Sequence, residues 1–276
     1  MRTVAMPDGR AIPAMGLGTW RMGEDARAAA AELRTLREAL DRGISLIDTA
    51  EIYGQGGSEH LVGEALRGHA REAVFLVSKV APSHASFEGT KRACAGSLKR
   101  LGTEYLDLYL LHWRGGVPIA ETIEAFEALR AEGKIRAWGV SNFDVPDMED
   151  MPQGAQCAAN QVLYNPSARG IEFDLLPFCQ SRSIPIMAYT PLGQSGQVLS
   201  NPAITAVAAR HGATPGQVAL AWGLRHPGIV TIPKTARIER VEENLGALGL
   251  TLDTEDLAEI DRAFPAPRRK RGLEMI

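Results

Sequence analysis

The sequence has only three cysteines in 276 residues, Cys94, Cys157 and Cys179, and no Cys-x-x-Cys pair. An odd, widely spaced set excludes a disulfide framework and a zinc ribbon. No apolar run approaches the ~20 residues of a bilayer-spanning helix. The opening Met1-Arg2-Thr3-Val4-Ala5-Met6-Pro7-Asp8 holds no apolar signal core, so a cytoplasmic protein away from membranes is expected. Charge of one sign is also missing. Thirty basic residues face 33 acidic ones, a net charge of -3, which argues against a basic field for nucleic acid. No strand-like run carries His-x-His or a carboxylate–histidine cluster. A metal-dependent barrel hydrolase is therefore disfavoured and no metal is expected. Internal repeats, low-complexity blocks and interdomain linkers are absent too, so residues 1–276 are expected to form a single domain.

What is present is a regular alternation. Thr3 to Met6 and Ala11 to Ala14 flank Pro7-Asp8-Gly9-Arg10, whose turn chemistry predicts an N-terminal β-hairpin. Short apolar runs then alternate with amphipathic stretches. Strands are expected at Met15–Thr19, Ile44–Asp48, Val74–Lys79, Leu106–His112, Ile135–Val140, Ala159–Val162, Ile184–Tyr189 and Gly228–Ile232. The helices between them are expected at 26–42, 58–67, 87–101, 120–132, 145–151, 175–181, 214–224 and 238–248. Ser58 is placed as the cap of the second. Eight strand-plus-helix units in this length argue for a (β/α)8 TIM barrel. An extra C-terminal helix is expected at 253–263, beyond the eighth unit. An open doubly wound sheet remains the alternative. Gly16-Leu17-Gly18-Thr19-Trp20-Arg21 lacks the third glycine of its dinucleotide fingerprint.

Three consecutive runs end on ionisable residues: Ile44 to Ile47 on Asp48, Val74 to Ser78 on Lys79, Leu106 to Leu111 on His112. Tyr53 follows Asp48 in the next turn. The C-terminal strand ends of a barrel form one face, where active sites are built. A carboxylate, an ammonium, an imidazole and a phenol meeting there make a proton-handling site. Glu51 reads as a nearby polar residue.

Along these stretches the chain resembles the aldo-keto reductase family. The matching text is Gly16-Leu17-Gly18-Thr19-Trp20, Asp48-Thr49-Ala50-Glu51-Ile52-Tyr53-Gly54 and Leu110-Leu111-His112-Trp113. It continues with Gly133-Lys134-Ile135-Arg136 into Gly139-Val140-Ser141-Asn142-Phe143, then Asn160-Gln161 and Ile232-Pro233-Lys234-Thr235. The matches cover nearly the whole chain in the family's order. Gln161 to Asn165 and Ser167 to Glu172 look like a bacterial branch described as methylglyoxal reductases.

The resemblance implies reversible hydride transfer between NADPH and the carbonyl of a small aldehyde or ketoaldehyde. It makes Tyr53 the proton donor, with Asp48, Lys79 and His112 as its catalytic partners. Lys79 is expected to lower the phenol's pKa, Asp48 to hold Lys79, and His112 to bond the substrate oxygen. It places Gly18, Thr19, Trp20 and Asp48 against the cofactor. Ser141, Asn142 and Gln161, read as ending strands five and six, would bind the nicotinamide carboxamide, and Tyr189 would stack on its ring. Thr190 and Leu192 lie in the loop passing the pyrophosphate. Lys234, Thr235 and Arg240 would hold the 2'-phosphate, with Glu243 and Asn244 near adenine. Basic charge at a positive helix start needs an anion, which favours that reading. Trp20, Tyr53, His112 and Trp113 are implied for the substrate, with Arg114 at the entrance. Long lids are not evident, which implies an open pocket. The basic run Arg268 to Arg271 is read as a solvated tail, with folding over the pocket as the other possibility.

A second reading, from a different class, is a cofactor-binding regulatory subunit like the potassium-channel β subunits. These share the fold and the tetrad, but the N-terminal extension they carry is not seen. A monomer is the default expectation.

Overall fold

The computed structural model describes residues 2–276. A two-stranded antiparallel hairpin, β1 (Thr3–Ala5) with β2 (Ala11–Pro13), precedes the barrel. The repeat then runs β3 (Gly16–Gly18), α1 (Ala29–Asp41), β4 (Leu46–Asp48), α2 (Gly57–Leu66), β5 (Phe75–Val80), α3 (Phe87–Leu101), β6 (Leu108–Leu111) and α4 (Ile119–Ala131). It continues with β7 (Trp138–Ser141), α5 (Val145–Glu149), β8 (Asn160–Leu163), α6 (Leu175–Ser181), β9 (Ile186–Tyr189), α7 (Pro202–Arg210), α8 (Pro215–Gly223), β10 (Ile229–Thr231), α9 (Ile238–Gly246) and α10 (Thr254–Ala263). The eight strands β3 to β10 pair in parallel, each with its neighbour in sequence. Bridges Met15–Thr231 and Gly18–Lys234 join the last strand to the first and close the barrel. No helix among the described residues is long and apolar enough to cross a membrane.

Strand parity decides what lies inside. Leu46, Val77, Leu108, Leu110, Met187 and Val230 fill the barrel, and Val4, Met6, Ile12 and Ala14 of the hairpin region pack onto them. Their neighbours Ile47, Leu76, Tyr109, Leu111, Trp138 and Val162 belong to the layer between strands and helices. Side chains alternate along a strand, so Asp48, Lys79, His112, Ser141, Gln161 and Tyr189 fall on the inward parity. Close packing needs glycine at Gly16, where a Cβ would sit 2.5 Å from the Leu46 Cγ.

Three local expectations change, and the tail takes both forms left open for it. Ser58 does not cap α2; the cap is Gly56, and the Ser58 hydroxyl bonds Thr19 Oγ1 at 2.7 Å. Its burial between two loops outweighs its capping preference. The stretch after Asn201, read as loop, forms α7. Asn201 accepts a bond from the Ala203 N–H, Pro202 sets the first turn, and Ile204, Val207 and Ala208 bury one face. Gln161 is the second of four residues in β8 rather than the last. The basic run Arg268 to Arg271 is exposed, as a solvated tail would be, yet the tail as a whole folds back, which was the other possibility. Lys270 Nζ lies 2.5 Å from Asp144 Oδ1 and 2.7 Å from Asp174 Oδ1, Leu273 packs on the core, and Ile276 reaches the barrel mouth. Two carboxylates sharing one ammonium outweigh solvation of that residue.

Candidate active site

The C-terminal ends of the strands surround a cavity of about 580 Å³. Asp48, Tyr53, His112 and Trp113 line one part of it, and Ser141, Asn142, Gln161 and Tyr189 another. Gly18, Trp20, Thr190, Leu192 and Lys234 complete the expected wall. Trp20 and Trp113 are 41% and 37% exposed, as an open mouth requires. Lys79 lies directly behind Tyr53 and is wholly buried.

Lys79 is fixed by three bonds, one for each donor of its ammonium. Nζ donates to Asp48 Oδ2 at 2.8 Å, to the Thr49 carbonyl at 2.9 Å and to Tyr53 Oη at 3.1 Å. The last bond has a consequence for the phenol. Tyr53 Oη accepts from Lys79, so its own proton is left to point elsewhere, into the cavity that Tyr53 lines.

Burial pushes the Tyr53 hydroxyl above the ordinary phenol range; Lys79 pulls it down and Asp48 pushes it up. The net direction is upward, opposite to the lowered value expected from sequence, because desolvation of a phenolate outweighs one partly neutralised ammonium. Burial alone would lower the Lys79 pKa, but Asp48 and Tyr53 outweigh it and leave it raised. The phenol is therefore protonated and the lysine charged at neutral pH.

His112 stands edge-on to Tyr53, with ring centroids 5.6 Å apart. Burial, followed by the Lys79 charge, lowers its pKa to about 2. Its imidazole is neutral and can donate a single hydrogen bond. Below about pH 6.5 the unfolded chain binds a proton at His112 that the folded chain does not. Stability therefore falls as pH drops through that value. A His112→Asn protein is expected to lose less stability between pH 7 and 5 than the wild type. Equal losses in urea titrations at the two pH values would contradict the buried neutral imidazole.

The amide side of the cavity is tied together. Asn142 takes the left-handed conformation (φ 59°), which asparagine tolerates. Its Nδ2 donates to the His112 carbonyl at 3.1 Å, and its Oδ1 accepts from the Tyr189 hydroxyl at 2.8 Å. Burial, then proximity to Tyr53, pushes Tyr189 up to about 12. Thr190 also has positive φ, 50°. For a β-branched residue this is strained, as residues at functional sites often are.

Several expected residues stand away from the cavity wall. Thr19 is buried, with Oγ1 donating to the Asp48 carbonyl at 3.0 Å. Thr235 lies just before α9, and Arg240, Glu243 and Asn244 lie along it. Thr235 Oγ1 accepts from the Arg237 N–H, while Glu243 pairs with Arg240 and accepts from Thr214 Oγ1. Arg114 pairs with Asp147 and Asp150 of the α5 region instead of facing the entrance. Glu51 turns to the Ala81 N–H and His84. Arg21, Glu24, Ile52 and Ile276 line the cavity without having been expected there. Ile52 lies within a motif that was read, and Arg21 adjoins another. Ile276 arrives only through the folded tail, which no local pattern announces.

The sequence matches the Aldo/keto reductase family over residues 14–264. The chain belongs to that family. It is 50% identical over 272 residues to methylglyoxal reductase YeaE of Escherichia coli, covering 96% of this chain and 95% of that one. It is 38% identical over 263 residues to glyoxal reductase of Bacillus subtilis, covering 94% and 91%. The crystal structure of an aldo/keto reductase from Klebsiella pneumoniae, in complex with NADP and acetate, superposes with a TM-score of 0.96. It shares 51% identity over 99% of each chain. This aldo/keto reductase is thus an oxidoreductase built on the (β/α)8 barrel, with the hairpin and extra helix expected.

Proposed function

We propose that this chain reduces small ketoaldehydes of the methylglyoxal type with NADPH, and that Tyr53 is the proton donor. The observation that carries the reading is the chain of contacts Asp48–Lys79–Tyr53, ending at the cavity beside a neutral His112. The relatives named for methylglyoxal and glyoxal reduction, and the NADP complex, support the choice of substrate and cofactor.

The residues fit such a cofactor. Amide and hydroxyl groups of Ser141, Asn142 and Gln161 stand at one wall, with the Tyr189 ring beside them. Lys234 stands at the wall and has no ion-pair partner among the described residues. Helix α9 has Arg237 at its N-cap and no side-chain cap, an arrangement suited to an anion. Lys234 and Arg240 would hold the 2'-phosphate; Thr235, Glu243 and Asn244 would flank the adenosine. NADPH supplies the hydride when bound. Tyr53 would donate its proton to the carbonyl oxygen, while Lys79 stabilises the phenolate as charge develops. The neutral His112 would hold that oxygen by one hydrogen bond. Trp20 and Trp113 would exclude water around it.

A rate panel followed at the NADPH absorbance tests the reading. Methylglyoxal and glyoxal are expected to exceed simple monoaldehydes of similar size in kcat/KM. A reversed ranking would remove the ketoaldehyde assignment. Cofactor choice gives a second check. Losing one charge-assisted bond costs about 1.5–3 kcal/mol, or roughly ten- to a hundredfold in affinity. Lys234→Ala is expected to weaken NADPH by that factor and NADH much less. Arg240→Ala should act in the same direction but less strongly, since Arg240 must leave Glu243 to bind phosphate. Equal losses for both cofactors in fluorescence titrations would take these residues out of the phosphate site.

A further inference from the structure

Gln161 is almost fully buried, and its side chain reaches across the barrel from β8 to β4. Its Nε2 lies 2.8 Å from Asp48 Oδ1. The other Asp48 oxygen receives Lys79 Nζ at 2.8 Å. A carboxylate paired with an ammonium only accepts, so the Gln161 group facing it is the amide NH2. Its Oε1 has no protein donor among the described residues, and it is the atom left for a ligand. The same amide thus closes a line of four side chains, Gln161, Asp48, Lys79 and Tyr53.

We propose that Gln161 is a positioning residue for the proton donor, acting through Asp48, as well as a wall of the cofactor site. The inference rests on the proposed reading of Tyr53. With its Oδ1 bonded by Gln161, Asp48 shares its charge between two donors and neutralises Lys79 only in part. More of the lysine charge is then available to the phenolate. Loss of the amide concentrates the Asp48 charge on Lys79 and leaves the Tyr53 phenolate less stabilised. The groups that face Tyr53 are Asp48 from β4, Lys79 from β5, His112 after β6 and Tyr189 from β9. His112 is neutral and Tyr189 protonated throughout the working range. The Asp48–Lys79 pair is what Gln161 can modulate.

The test compares wild type, Gln161→Leu and Ser141→Ala. Ser141 lies on the same amide wall but bonds the Gln161 backbone carbonyl rather than Asp48. With NADPH saturating, reduction falls at alkaline pH as the donor ionises. In Gln161→Leu that fall is expected to move up by roughly half to one pH unit, part of what a hydrogen bond to a charged group is worth. In Ser141→Ala the fall stays at the wild-type pH while NADPH affinity drops. The 13Cζ resonance of Tyr53 in the protein alone, assigned by its loss in Tyr53→Phe, is expected to shift in Gln161→Leu and not in Ser141→Ala. Weaker NADPH binding in Gln161→Leu with an unmoved pH limb and resonance would overturn the proposal. A wild type without turnover would instead sink the reading of Tyr53 as an acid, and the resonance alone would then decide whether Gln161 reaches Tyr53.

Discussion

Tyr53→Phe is expected to bind NADPH as tightly as wild type and to reduce carbonyls ~10²-fold or more slowly, the scale of general acid catalysis. The substitution removes one hydroxyl and keeps the ring that packs edge-on to His112. Tyr53 Oη accepts from Lys79 and offers its proton to the cavity. No other group there is both protonated and placed on that line. His112 is neutral and Tyr189 commits its hydroxyl to Asn142. The fold is expected to persist, since the lost bond leaves Lys79 two others. Turnover within a fewfold of wild type would overturn the assignment of the acid.

Lys79→Met is expected to act twice. The wholly buried ammonium pairs with a nearly buried Asp48. Removing one partner of such a pair leaves an unanswered charge and costs about 3 kcal/mol or more of stability. The same loss takes away the charge that stabilises the Tyr53 phenolate. Reduction should slow, and its alkaline fall should move to higher pH. The two effects separate in the laboratory. Urea titration reads the first, and rates in the fraction still folded read the second. A folded Lys79→Met protein with the wild-type pH profile would contradict the coupling between Lys79 and Tyr53.

The barrel was legible because its signals are periodic and local. The strand-like runs have one parity facing inward, so counting from Leu46 to Asp48 or from Leu108 to His112 already gives the side on which each ionisable residue falls. The interior they share follows from closure alone. Elements set by contacts distant in sequence were not legible. Ser58 has the composition of a cap, yet the loops carrying Thr19 and Thr49 claim its hydroxyl. The tail reads as a basic, Pro-rich solvated stretch until Asp144 and Asp174 are seen to stand together. The Tyr53 phenol was expected to have a lowered pKa from its neighbour's charge, but burial depends on the whole barrel and reverses the sign. The short helix α7 is a different case. Asn201-Pro202 and the spacing of Ile204, Val207 and Ala208 announce it locally, and only the expectation of one helix per strand hid it.

Steady turnover by the purified chain tests the central claim most directly. NADPH and methylglyoxal are mixed with wild-type protein alone, and cofactor oxidised is compared with hydroxy product formed. The account predicts equal amounts of the two, continuing over many equivalents of protein. Saturable NADPH binding with no product beyond one equivalent would contradict it and would favour a cofactor-sensing subunit built on the same barrel.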